Sequence, residues 1–208
     1  MRKVLAKSPD PIIYDQKCKE LSVLKALDSE DYIDLYFADE SSFSLTPQVP
    51  YGWQERGEKA IGLPSQRSKH ITTFGLITRD NHFEGYTKEG SFKSQDVINS
   101  LDDFVSKTRK KTVIVMDNAP IHKSKIFKEK MKDWEKKEVY IWFLPTYSPH
   151  LNIIEILWKR IKYSWLKPIN YSNWNALYNA INFILLRIGT LFKVTFTYDK
   201  GLVTTSRI

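Results

Sequence analysis

Apolar residues along this chain recur with two different periods. Val113 to Met116 is an unbroken apolar run, which reads as a short strand buried on both faces. The run stops on Asp117, and Asn118, Ala119 and Pro120 make a turn. Residues 32–40 read as another strand, with Ile33, Leu35 and Phe37 alternating on one face and Asp39 sharing their parity at the strand's end. Residues 70–78 and 82–87 read as two further strands joined by a tight turn at 79–81, within a stretch of antiparallel β character from 41 to 90. Residues 138–144 form a last strand, ended by Pro145. Helical spacing covers 15–27, after a loose lead-in over 1–14. It returns at 94–107, where Ser94 caps a stripe of Val97, Ile98, Leu101 and Val105. A Lys-rich helix carries Ile126, Phe127, Met131 and Trp134. Helices also run from 152 to about 166, with Ile154, Leu157, Trp158, Ile161 and Trp165, and over about 172–188. Three strands, helix, strand, helix, strand, helix is an α/β order.

Composition narrows the class. The 208 residues are 42% hydrophobic and 13% aromatic, enough for one sizeable core and too apolar for general disorder. The formal net charge is +8, which favours a polyanionic partner, nucleic acid being the commonest. The single cysteine, Cys18, excludes an internal disulfide and a Cys-based metal site. The amino terminus has basic residues but no apolar stretch behind them, and no run approaches the ~20 apolar residues of a membrane span. The chain therefore reads as soluble and cytoplasmic, nucleoid-associated if bacterial, with no membrane partner.

Candidate chemistry lies in three carboxylates. Asp39 and Asp117 end strands, and Glu155 begins a helix. Open α/β sheets place ligands at the carboxyl ends of their strands, so the three can converge on one rim. Crowded carboxylates repel one another, and hard divalent cations relieve that repulsion; oxygen-only ligands suit Mg²⁺ or Mn²⁺. Two such ions ~3.5–4 Å apart can act on a phosphodiester. Local structure offers rival readings. Asp39 can end a strand in a turn with Ser41 and Ser42, and Asp117 can cap a helix. Asn152 as N-cap with Glu155 three residues on resembles a capping box. Asp34 and Glu40 are rival acids on the other face of their strand. His70 and His82 read as structural, and His150 as a variable loop residue. Lys123, Lys128, Lys132, Lys159 and Lys162 form either a solvated surface or a phosphate-facing one.

Three blocks tie these residues together. They are Phe37-Ala38-Asp39-Glu40-Ser41, then Met116 to His122, then Pro145 to Glu155. They resemble the signature blocks of mariner-like DDE transposases, in the branch encoded by bacterial insertion sequences, over about residues 30–188. Residue by residue, the resemblance implies Asp39, Asp117 and Glu155 as catalytic metal ligands, with Asn118, His122 and Asn152 behind them. The spacing from Asp117 to Glu155 is 155 − 117 = 38 positions. Ile153 stands where the family has Pro, a residue suited to a helix start. Only 38 residues precede Asp39, less than the family's upstream helix-turn-helix domains require.

The resemblance implies a ribonuclease-H-like α/β fold: a mixed five-stranded sheet with helices on both faces. The expected division is a lead-in or linker helix over 1–28, a DDE catalytic domain over 29–190 and a tail over 191–208. The expected function is DNA cleavage and strand transfer with two Mg²⁺ or Mn²⁺ ions. Expected partners are element ends, target DNA, a second copy on DNA, and a helix-turn-helix segment upstream or on a separate chain. A non-transposing nuclease of the same fold, and a catalytically silent DNA-binding remnant, are the alternatives.

Overall fold

The computed structural model describes residues 9–47, 57, 69–118 and 124–196. The chain runs α1 (Pro11–Ser29), β1 (Asp34–Ser44), β2 (His70–Ile77), β3 (Phe83–Glu89), α2 (Ser94–Lys107) and β4 (Thr112–Met116). It continues through α3 (Lys125–Glu135), β5 (Val139–Phe143), α4 (Ile154–Arg160) and α5 (Trp174–Leu185). The strands form one sheet in the order β3-β2-β1-β4-β5. β1 runs parallel to β4 and β4 to β5, while β2 and β3 are antiparallel to their neighbours. This is the mixed five-stranded, ribonuclease-H-like sheet.

Strand alternation makes two cores. Leu35, Phe37 and Phe43 of β1 join Leu21 of α1, Ile154, Leu157 and Trp158 of α4, and Leu177 and Ile181 of α5. Ala38 and Ile114 face the other way, with Val97, Leu101 and Val105 of α2 and Phe127 and Trp134 of α3. All five residues of β4 are buried, as its unbroken apolar run requires. Polar ties fix the layers: Trp134 Nε1 donates to Asp102 at 2.8 Å, joining α3 to α2, and Trp142 Nε1 donates to Glu20 at 3.1 Å, joining β5 to α1.

Several local expectations need correcting. α1 starts at Pro11 rather than 15, because Asp10 accepts from the N–H groups of Ile12 and Ile13 and Pro11 suits the first turn. α2 is capped not by Ser94 but by Lys93, whose backbone N–H donates to Asp96 at 2.7 Å. β1 does not stop at Asp39. It continues to Ser44, with Ser41 and Ser42 pairing with Thr73 and Thr72 of β2, so the Ser-rich turn does not form. The capping box at Asn152 and Glu155 also fails. The backbone N–H of Asn152 donates to Pro149 O at 2.9 Å, and its side chain turns inward to donate to Ala38 O at 3.1 Å. α4 begins at Ile154 without a side-chain cap, and Ile153 has φ −65°, the value a proline would lock. After Arg160 the helix continues as a π-turn over Ile161–Trp165.

Candidate active site

Asp39 sits where the sheet changes partners. The parallel pairing of β1 with β4 ends at Phe37 and Val115, while β1 runs on against β2. Carrying that register two residues further brings Asp39 level with Asp117, just past the end of β4. Asp117 therefore occupies the strand-end position its apolar run predicts. Asp39 lies inside a strand, at the point where the parallel neighbour has stopped. Its parity turns it toward the layer of α4, which delivers Glu155 from its first turn.

Gly75 allows that helix to come close. It is the β2 residue paired with Asp39. A Cβ there would lie 2.7 Å from the Trp158 ring and 2.9 Å from Phe83. Trp158 is one turn beyond Glu155 and 2% exposed, with Phe43 and Phe83 edge-on at ring separations of 6.3 Å. The missing side chain at Gly75 thus seats α4 on the sheet beside Asp39. Nothing in the local sequence marks Gly75; its partner is a tryptophan 83 positions away, 158 − 75 = 83.

Asp39, Asp117, Asn118, Asn152 and Glu155 line one cleft of about 440 Å³, together with the loop Leu144 to Pro149. Asn152 bridges its two sides, because its side-chain nitrogen donates to Ala38, the residue before Asp39. Burial, then the charges of Glu155, Glu40 and Asp117, push the Asp39 carboxyl up to about 8, against a smaller opposing pull from the Glu40 backbone N–H. Lys162 is half-buried, with Nζ 5.4 Å from the centre of the Phe43 ring. Burial lowers its pKa, and the charges of Glu155 and Asp39 oppose that shift, so this cation senses both acids.

Three carboxylates around one cleft are an oxygen-only donor set, and burial first, then the neighbouring acids, raises the pKa of one of them. That chemistry fits a hard divalent cation. Among the described residues, no three His, Cys, Asp or Glu side chains stand close enough to hold a single ion as they are positioned.

The remaining sequence candidates separate. Lys128 and Lys132 are exposed on α3, in the layer of α2. Lys159 is exposed on α4, with Lys162 just beyond, in the opposite layer. His122 and Lys123 lie outside the described residues. Asp34 is remote from the cleft, with its carboxylate 3.3 Å from Lys110. His150, in the short 3-10 turn Pro149–Leu151, has its Nε2 2.9 Å from the Tyr14 hydroxyl on α1.

Comparisons with known proteins give a family and a fold. The family described as "DDE superfamily endonuclease" matches residues 34–177. The "Insertion element IS630 uncharacterized 39 kDa protein" of Shigella sonnei is 30% identical over 149 residues, covering 69% of this chain and 42% of that protein. The catalytic domain of Mos1 mariner transposase superposes with a TM-score of 0.55 at 11% identity, covering 88% of this chain and 85% of that one. The Mos1 transposase paired-end complex with left transposon end gives 0.54 at 14% identity, covering 89% of this chain and 58% of that one. At such identities the two structures attest the fold. The chain spans less than half the length of its insertion-element relative, and among the described residues no helix is long and apolar enough to cross a membrane. With the family match extending across both aspartates and the helix glutamate, the chain belongs to the DDE superfamily endonucleases.

Proposed function

We propose that this chain is the catalytic domain of a transposase, cutting DNA at the ends of a mobile element and joining the freed ends to target DNA. The observation that carries the reading is the convergence of Asp39, Asp117 and Glu155 on one cleft, where the parallel strands β1 and β4 end their pairing. The Mos1 relatives are described as a paired-end complex with a transposon end and as a strand transfer complex, and this chain's DNA partners are proposed from them.

Asp39 and Asp117 would hold a divalent cation, Mg²⁺ or Mn²⁺, and Glu155 would complete the site for a second. Bound there, the ions would supply charge that activates the attacking oxygen and stabilises the leaving one. The chain's own residues do the rest. β1 and β4 fix the aspartates in register, and Gly75 and Trp158 set the distance of Glu155. Asn152 locks the helix start to β1, and Asn118, next to Asp117, lines the same cleft. Lys159 on α4 and Lys162 just beyond it, the latter within the field of Glu155 and Asp39, receive phosphates, and Lys128 and Lys132 extend the basic surface on the other layer. Water cuts first, and the 3′-hydroxyl it frees then attacks a phosphodiester of the target. The chain acts as a homodimer on DNA, and a helix-turn-helix segment, upstream or on a separate chain, reads the element ends.

A joining assay tests this reading against the simple nuclease. A pre-cut oligonucleotide with a free 3′-hydroxyl is incubated with plasmid, Mg²⁺ and the chain. Covalent transfer of the oligonucleotide into plasmid is expected. Plasmid nicking without transfer would leave a non-transposing nuclease, and neither product would leave a silent DNA-binding remnant.

A further inference from the structure

The loop between Pro145 and Pro149 holds an aromatic ring at the cleft in a backbone conformation that side chains rarely adopt. Tyr147 has φ +57°. Three other non-glycine described residues have positive φ, and each has a local reason. Asp31 and Glu138 follow the ends of α1 and α3, where left-handed residues commonly close a helix, and Asn81 closes the hairpin between β2 and β3. Tyr147 ends no helix and turns no hairpin, and bulky residues are outliers in this region. The loop is pinned around it. Leu144 N–H donates to Met116 O at 2.9 Å, Leu151 N–H to Ser148 O at 3.1 Å, and His150 meets Tyr14 at 2.9 Å. Ser148, the next residue, is buried, while Tyr147 is 56% exposed and lines the cleft with Asp39, Asp117 and Glu155. A strained aromatic beside the acids is a feature that stabilising contacts around it must offset, and such features gather at ligand sites.

We propose that Tyr147 is a stacking platform for an unpaired nucleobase of the DNA strand lying in this cleft. The inference rests on the DNA-cutting reading above and adds a base-binding subsite to it. Every base presents a π-face, so an exposed ring stacks on one without regard to sequence. A base unstacked beside the scissile phosphodiester lets the strand bend into a cleft of only about 440 Å³. The ring, not the hydroxyl, makes the contact.

The test is affinity of the full chain, in EDTA so that nothing is cut, for two fluorescent oligonucleotide duplexes. One is blunt and the other is forked, with unpaired nucleotides at one end. Tyr147→Ala should weaken binding to the fork by about tenfold and leave the blunt duplex unchanged, while Tyr147→Phe should bind both like the parent. Tyr147→Gly, which suits the positive φ, should lose affinity for the fork as Tyr147→Ala does and melt no lower than the parent. That separates loss of the ring from loss of the fold. Undiminished binding of the fork by Tyr147→Ala, or an equal loss on both duplexes, would overturn the stacking role while leaving the DNA-cutting reading standing. Failure of the parent chain to bind either duplex at low salt would overturn both.

Discussion

Burial and three neighbouring carboxylates push Asp39 up to about 8, so near neutral pH much of the folded population keeps a proton that the unfolded chain has released. Between its ordinary value of 3.8 and about 8 the native state binds the extra proton, so stability falls as pH rises through that window and levels off above it. In EDTA, thermal melts of the parent should therefore decline from pH 5 to pH 8 in part through this residue. Asp39→Asn should flatten that decline and melt higher than the parent at pH 8. Parallel pH profiles for parent and variant would show that Asp39 bears no such load. Identity and position were legible to different degrees here. Asp117 could be read from an apolar run that stops on a carboxylate. Asp39 is legible as a strand carboxylate, but its place inside a continuing strand is not, because the turn residues after it pair with Thr72 and Thr73, far along the chain. Asn152 looked like a cap for the same reason: its acceptor, Ala38 O, lies 114 residues away.

At the scale of elements, the decisive contact is between β2 and α4. Gly75 opposes Asp39 in the sheet and underlies Trp158, so this one position sets how near the glutamate helix comes to the aspartate strand. Gly75→Ala puts a methyl group 2.7 Å from the Trp158 ring, a clash in a well-packed layer. Overpacking of this kind costs ~1–3 kcal/mol. The expected outcome is a lower melting temperature with cleavage lost by a larger factor than stability explains, since α4 is displaced from the cleft. Cleavage at the parental rate in a folded Gly75→Ala protein would mean that the seating of α4 does not set the site. The elements themselves were readable from periodicity, because β4, α2 and α4 each bury one uninterrupted pattern. The packing between them was not, since a glycine in a strand has no periodic signal.

At the scale of the whole molecule, the chain carries a formal net charge of +8, and among the described residues basic side chains lie on both layers. Lys128 and Lys132 ride on one side of the sheet and Lys159 and Lys162 on the other. Such cations contact phosphates, which orients a protein on DNA without specifying sequence. Binding should therefore show little sequence preference and weaken steeply with salt, with a log–log slope of ~0.9 per phosphate neutralised. Competition between a terminal inverted repeat and scrambled DNA at two salt concentrations checks this. A preference of about a hundredfold for the repeat that survives the higher salt would place base readout within these 208 residues.

The most direct measurement is Mg²⁺-dependent nicking of supercoiled plasmid by the parent, Asp117→Asn and Glu155→Gln, with each variant's fold checked by thermal melting. The parent should nick only with Mg²⁺ or Mn²⁺, and both variants should lose nicking by orders of magnitude while remaining folded. Because Glu155 takes no part in a capping box, Glu155→Gln should leave α4 intact. Nicking that persists in either variant, or that proceeds undiminished in EDTA, would contradict a metal-dependent carboxylate site at this cleft.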